Sequence, residues 1–481
     1  MESTPAQKLL VVGAGPAGLT AAYEARRAGL AVTVLERDPD YVGGIARTVR
    51  HAGYRFDIGG HRFFSKSDEV TRWWRARLSD DFIEVRRQSR ILYRGKFFDY
   101  PLRPANALGN LGVFTSLACV ASYLWARVVP RRPEKSFEDW VSNRFGRRLF
   151  SIFFKTYTEK VWGISTSELS ADWAAQRIHN LSLAKAVLNA CSGPPRAKRG
   201  EVVKTLITTF SYPRLGPGQM WEKVAADLAA MGGRVAMGER VTKIFHAGGR
   251  VTAMAALDAA GRETRHAADE FIVSMPLRET VQAFEPPLAP DVRAAAARLS
   301  YRDFLTVALI VDGENPFPDN WIYIHDPAVK LGRIQNFKNW SEAMIGEAGT
   351  TCLGLEYFCF AGDGLWETSD AELIALGTRE LAQLGLVVPA RVRGGAVVRM
   401  EKAYPVYDAN YQANVDVIRG ALAAFPNLQV VGRNGMHKYN NQDHSMMTAL
   451  LAVRNLTGEK FNLWNVNTDA EYHEDGAEEK K

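Results

Sequence analysis

The chain has 481 residues, of which 47% are hydrophobic and 23% charged. That is globular composition, with room for two or three domains at about 150 residues each. It excludes a largely disordered chain, a collagen-like fibre and a multi-span membrane protein. The formal net charge is +7, but residues 1–240 hold 37 Lys and Arg against 22 Asp and Glu, and the remainder holds 23 against 31. The basic excess is mostly arginine, which suits forked contacts with phosphate or carboxylate. There is no long basic run and no nucleic-acid-binding module. An anionic small ligand or an anionic membrane surface is therefore expected, and nucleic acid is not. Cys119, Cys191, Cys352 and Cys359 are too few for a disulfide framework and match no zinc spacing. A reducing compartment follows. Met1–Lys8 lacks a basic stretch followed by an apolar one, so no signal peptide is expected and the expected location is cytoplasmic.

In chain order, Lys8–Val12 reads as a short apolar strand and Gly13–Gly18 as a glycine loop. Leu19–Ala28 reads as a helix ended by Gly29, and Ala31–Leu35 as a second strand, completing one βαβ unit. Residues 68–190 read as mainly helical, rich in Trp and Arg. Within them Pro104–Ala126 carries no charge, and Arg127, Arg131 and Arg132 follow. Its apolar part, Leu111–Ala126, is shorter than the ~20 residues that span a bilayer. It reads as a buried helix; a helix dipping into one leaflet, helped by the basic flank, is the second reading. Residues 234–257 read as short strands broken at Gly248-Gly249, with another strand at Glu270–Ser274. Residues 304–311 and 352–360 read as buried strands, Asn427–Val431 as a strand and Ser445–Asn455 as a helix. The tail from Asp469 is acidic and expected to be disordered.

Gly13-Ala14-Gly15-Pro16-Ala17-Gly18 has the spacing of a dinucleotide-binding turn. Gly13 permits the turn, Gly15 lets a pyrophosphate approach the backbone, and Gly18 lets the helix pack on the strand. The helix N-terminus then faces the anion with free N–H groups. Glu36, 23 residues after Gly13, ends the second strand where a ribose-binding carboxylate belongs. Its charge would repel a 2′-phosphate. Arg37 follows it. Gly43-Gly44, with Arg47 beyond, looks like a second loop against which a ribityl chain could lie without Cβ clash. Gly432-Arg433, before a helix, looks like a further flavin contact. The three pieces together point to FAD.

Narrower matches follow. Phe56-Asp57-Ile58-Gly59-Gly60-His61-Arg62-Phe63-Phe64-Ser65 and Phe154-Lys155-Thr156-Tyr157-Thr158-Glu159-Lys160-Val161-Trp162 are two. Arg177, Trp321-Ile322-Tyr323 with Arg333, Tyr404-Pro405, Tyr439 and Asn441-Gln442-Asp443-His444-Ser445 complete the set. This ordered set resembles the UDP-galactopyranose mutases, particularly the eukaryotic type, within the flavin amine oxidase superfamily. The resemblance runs from residue 9 to about 456. It departs from the family at the uncharged 104–126 segment and in the short spacing between Tyr439 and Asn441. It implies an α/β fold: a Rossmann-type, amine-oxidase-like FAD-binding domain with a helical insertion and a mixed β-sheet substrate domain. The expected division is FAD-binding at 1–70, 215–280 and 420–468, a mainly helical insertion at 71–214, a β-sheet substrate domain at 281–419 and the tail at 469–481.

The resemblance also implies an activity. An FAD-dependent mutase would interconvert pyranose and furanose forms of a nucleotide-linked sugar through a reduced-flavin N5–sugar adduct, with NADH or NADPH as a transient reductant. Arg177 and Arg333 would grip the diphosphate, and His61 would sit beside the flavin. Tyr157, Trp162, Tyr323, Tyr404, Tyr439 and Asn441 would line the substrate pocket. Gly59, Gly60, Asp443, His444 and Ser445 would meet the cofactor. For any single Tyr or Trp, core packing is the commoner fate, and Asp443 could equally cap a helix. Arg62, Arg72, Arg75 and Arg77 read as a solvated basic face. The competing activity is an FAD-dependent oxidoreductase (an oxidase, a desaturase or a protoporphyrinogen-oxidase-like enzyme) acting on an apolar or lipid-linked substrate. A non-catalytic flavin-binding protein has little support. No metal site is expected.

Overall fold

A computed structural model describes residues 6–100, 102–171 and 209–467. Arg177, Cys191 and the acidic tail lie outside the described residues. A five-stranded parallel sheet organises the cofactor half, in the order Leu428–Val430, Glu270–Val273, Lys8–Val12, Ala31–Glu36, Arg234–Met237. Leu10 stands between Phe271 and Thr33 in register. Both faces of the sheet are covered, so the inner strands are apolar along nearly their whole length. Helix Pro16–Arg27 packs between the sheet and helices Gly218–Ala230 and Gln442–Leu456. Strands Arg240–Ala247, Arg250–Leu257 and Glu263–Ala267 form an antiparallel meander beside it, turning at Gly248 and Gly249 with φ of 57° and 74°.

The other half is built on a seven-stranded mixed sheet. Its order is Val392–Pro405, Tyr301–Asp312, Thr350–Cys359, Arg333–Asn336, Trp321–Ile324, Ser89–Tyr93, Lys96–Asp99. The last two strands fall inside the stretch read as mainly helical, as do Phe82–Arg86 and Thr209–Pro213, which pair with each other. The signal was in the sequence. Arg94-Gly95 is a tight hairpin turn, with φ of 50° and 71°, between the apolar pairs Ile91-Leu92 and Phe97-Phe98. The remaining described insertion is helical: Pro104–Leu111, Val113–Val128, Phe137–Phe145, Arg147–Phe150 and Thr156–Trp162.

The uncharged segment is not a buried helix. It forms two helices that meet at Gly112 with a bend of 118°, and no single helix among the described residues is long and apolar enough to cross a membrane. Ser116 and Cys119 face inward, whereas Phe114 is 89% and Val128 77% exposed. The helix backbone comes close to the turn at Gly146, where a Cβ would stand 2.6 Å from the Tyr123 amide nitrogen, and Cys119 packs on Ile91, Phe98, Ile152 and Phe153.

Gly18 joins the first helix to the first strand. A Cβ there would sit on the Gly13 carbonyl oxygen, which is backbone and cannot swing away. Gly18→Ala is expected to cost about 3 kcal/mol or more, measured by urea unfolding followed through tryptophan fluorescence. Wild-type stability in that variant would contradict this packing.

Candidate active site

The helix Pro16–Arg27 begins at Gly15 without a side-chain cap. Its first N–H groups therefore face a cavity of about 550 Å³, lined by Gly13, Gly15, Pro16, Ala17, Glu36 and Arg37 among others. Nothing lies within 4 Å of where a Gly15 Cβ would stand, so an anion can reach the backbone. Glu36 closes the far end. Its carboxylate accepts from the N–H of Ala14 at 2.6 Å and of Asp38 at 2.9 Å. Burial pushes its carboxyl above the usual range, against the pull of those two bonds. Gly43 and Gly44, at φ of 98° and 55°, fold the second glycine loop onto the first; the Gly43 N–H donates to the Ala14 carbonyl at 2.8 Å. Gly44, Gly432, Arg433 and Ser445 line the same cavity. Arg47 turns away from it to pair with Asp38 and lies over Tyr41.

A second, smaller cavity of about 220 Å³ opens beside the first. His61, Arg433, Asn441 and Gln442 line both. One wall is a face of the large sheet. Side chains two apart on a strand share a face, and the register sets Tyr323, Arg333 and Glu356 opposite one another on three neighbouring strands. Trp321 and Gln335 form the next row, and both line the cavity with Tyr323 and Arg333. Arg333 donates through Nε to Glu356 at 2.6 Å, and Gln335 donates to the other Glu356 oxygen at 2.7 Å. Glu356 is fully buried. Burial opposes the charge on the Arg333 guanidinium, but Glu356 together with Tyr157, Tyr404 and Tyr323 holds it firmly protonated. The loop carrying Gly59, at φ of 89°, and Gly60 lies on this wall; a Cβ on Gly60 would stand 2.8 Å from Gln335 Nε2.

The opposite side is aromatic and cationic. Arg433 donates to the carbonyls of Asn440 and Ala403 and lies 4.8 Å from the Tyr439 ring centre. Tyr439 stacks on Tyr404 at 5.6 Å, and Trp162 approaches Tyr439 at 6.1 Å. Tyr157 meets Tyr323 edge-on at 5.5 Å and stacks on His325. Tyr323, Tyr439 and Asn441 line the second cavity directly, while Tyr157, Trp162 and Tyr404 stand behind them. Burial raises the Tyr157 and Tyr404 hydroxyls above their ordinary range, against the pull of Arg333, so both remain protonated donors.

His61 Nε2 is 2.8 Å from the Ile58 carbonyl and so carries the proton that it donates there. Burial first, then Arg433 and Arg333, push its pKa down to about 4. The imidazole is neutral at physiological pH. Asn441 caps the helix Gln442–Leu456 reciprocally with His444, whose Nδ1 accepts the Asn441 N–H at 3.4 Å. Asp443 is buried in the first turn, where burial pushes its carboxyl up to about 7. Asp443, His444 and Gly59 line neither cavity.

Sequence reasoning had put Arg62 and Arg77 on a solvated face. Arg62 lines the second cavity, and Arg77 is packed 3.4 Å over the Trp73 ring. Neither position has a spacing that separates it from the surface arginines around it. Glu356, Gln335 and Gln442 were missed. The signal for Glu356 was a lone carboxylate inside the apolar run Leu353–Phe360, which demands a buried cation. Arg177 lies outside the described residues. No group of three or more His, Cys, Asp or Glu suited to a metal occurs among the described residues.

A glycine-rich dinucleotide cleft joined to an enclosed cationic pocket defines a flavoenzyme of the two-domain, amine-oxidase-like type. Residues 16–433 match the flavin-containing amine oxidoreductases, and the chain belongs to that family. A crystal structure of reduced UDP-galactopyranose mutase superposes with a TM-score of 0.81 over 97% of each chain at 20% identity. A fatty acid isomerase from P. acnes, described as CLA-producing, superposes at 0.61 over 94% of this chain and 99% of its own, at 14% identity. By sequence, a probable UDP-galactopyranose mutase of Klebsiella pneumoniae is 24% identical over 172 residues, which are 34% of this chain and 43% of that protein. The matched stretch thus covers under half the length of that curated relative.

The described residues fit FAD. The open space over Gly15 suits the pyrophosphate, the buried Glu36 carboxylate suits a ribose diol, and Gly44 and Gly432 bring backbone to the cavity wall.

Two outcomes follow from the site's charges. Glu356→Gln leaves Arg333 charged without its counter-ion and is expected to destabilise the protein by about 3 kcal/mol, measured by urea unfolding. The folded chain protonates His61 near pH 4, whereas the unfolded chain does so at the ordinary 6.5. Stability from this group is complete above pH 6.5 and drains as pH falls towards 4. The stability difference between wild type and His61→Gln should therefore shift against wild type across that window; a pH-independent difference would mean that His61 is not held neutral.

Proposed function

We propose that the protein is an FAD-dependent mutase that interconverts the pyranose and furanose forms of a nucleotide-linked sugar. One observation carries the reading. Arg62, Arg333 and Arg433 line the second cavity and no carboxylate does, among the described residues, and this cavity shares a wall with the dinucleotide cleft. Three guanidiniums around one half-open cavity, with Glu356 behind Arg333, favour an anionic ligand there. The likeness to the reduced mutase structure supports the same choice.

In this reading the chain's work is positioning and charge stabilisation. Glu356 fixes Arg333 through Nε and Nη2, and Nη1 would hold a diphosphate as negative charge grows on it. Arg177 would grip the diphosphate from the other side. Tyr323, Tyr439 and Asn441 would hold the sugar between the diphosphate and the cofactor, and the aromatic walls would exclude water. Neutral His61 would orient the flavin ring by a hydrogen bond rather than by charge. The bound flavin, once reduced, supplies the electron-rich nitrogen that the sugar chemistry requires. NADH or NADPH is the expected transient reductant.

The test is exchange. Anaerobically reduced holoprotein is incubated with UDP-, GDP- and dTDP-hexoses, and pyranose and furanose forms are separated by chromatography. One donor should interconvert with reduced protein and not with oxidised protein. Arg333→Ala should lower turnover by about 10²- to 10³-fold with flavin retained. No exchange with any donor, in protein whose flavin cycles normally, would favour an FAD-dependent oxidoreductase on an apolar or lipid-linked substrate.

A further inference from the structure

The helix Val113–Val128 is packed the reverse of an ordinary amphipathic helix. Its inward positions, Ser116 and Cys119, are small, whereas Phe114, Leu117, Leu124, Trp125 and Val128 are 57–89% exposed. In a core or surface helix the large apolar side chains face the protein. Here they form one outward stripe, continued by Leu108 on the preceding helix across the bend at Gly112. Scattered exposed apolar residues need no explanation; a contiguous row of this size does.

The charge around the stripe names its occupant. From residue 100 to 133 there is no Asp or Glu. Of the arginines that bracket the apolar row, Arg103 pairs with Asp99 and Arg131 with Glu138 and Asp139, so Arg127 and Arg132 supply the positive edge. Arg127 and Arg132 are exposed, as are Arg147 and Arg148 on the neighbouring helix Arg147–Phe150. An apolar row edged by arginine matches a leaflet of acyl chains beneath anionic headgroups. Neither helix alone is long and apolar enough to cross a bilayer. On the inner side of Val113–Val128, Cys119 shares a cluster with Ile152 and Phe153, against which Tyr323 packs.

We propose that Leu108–Val129 docks this protein on anionic phospholipid, with the helix Val113–Val128 lying in the plane of the membrane interface. The inference stands apart from the mutase reading, because it rests on a surface that the cleft does not use. The test is co-sedimentation of the holoprotein with phosphatidylcholine vesicles made with and without phosphatidylglycerol. Wild type should pellet with the phosphatidylglycerol vesicles, and increasingly less so as salt is raised. Combining Phe114→Ser, Leu117→Ser and Trp125→Ser should lower the partition coefficient by at least ~30-fold. Combining Arg127→Glu and Arg132→Glu should lower it by about tenfold or more. Retained flavin absorbance shows that each variant is folded. The proposal is overturned if wild type pellets with neither vesicle, or if the triple variant pellets as wild type does. It is also overturned if the stripe instead holds a vesicle-free dimer that the triple variant splits.

Discussion

The catalytic half of the molecule is organised around one buried ion pair, Arg333 with Glu356, set side by side on adjacent strands. A carboxylate with no exposure is tolerable only because the guanidinium meets it at 2.6 Å and Gln335 satisfies its second oxygen. The pair fixes the side chains on the sheet face, and the Gly59-Gly60 loop rests on them. That loop delivers His61 to the boundary between the two cavities. Burial there, reinforced by Arg433 and Arg333, keeps His61 neutral.

The two cavities are one device because the cofactor half supplies a wall common to both. His61 follows the hairpin of strands Thr48–His51 and Tyr54–Asp57, and Arg433, Asn441 and Gln442 lie between the last parallel strand and the first turn of the final helix. A ligand in the small cavity therefore touches the same residues as a flavin in the large one. That arrangement suits chemistry between a bound anion and a cofactor ring. The family membership fixes the flavoenzyme class, and the structural likeness at 20% identity fixes the fold.

What the sequence made legible follows from how tightly physics ties residue to position. Gly13, Gly18, Gly43 and Gly44 were readable because each answers a steric demand of the fold, and Gly15 because an anion must reach the backbone there. Tyr323 and Arg333 were found through their ordered place in a resemblance, yet the partner that gives Arg333 its role was not. A lone Glu in the apolar strand Thr350–Cys359 has no spacing to announce it, and only the strand register brings it to Arg333. The strands at Ser89–Tyr93 and Lys96–Asp99 were hidden by an arginine-rich composition, although Arg94-Gly95 marked their turn. Pro104–Ala126 failed differently. An uncharged composition says that a segment avoids water, but which face packs on the protein is a tertiary fact, set here by the turn at Gly146 and the cluster around Cys119.

The most direct test of the anion-binding cavity is calorimetric titration of the holoprotein with UDP and with uridine. UDP should bind with measurable affinity, uridine should bind far more weakly, and Arg333→Ala should abolish the difference while keeping its flavin. Equal binding of UDP and uridine, or a UDP affinity untouched by Arg333→Ala, would contradict a cavity built by Arg333 and Glu356 to hold a diphosphate.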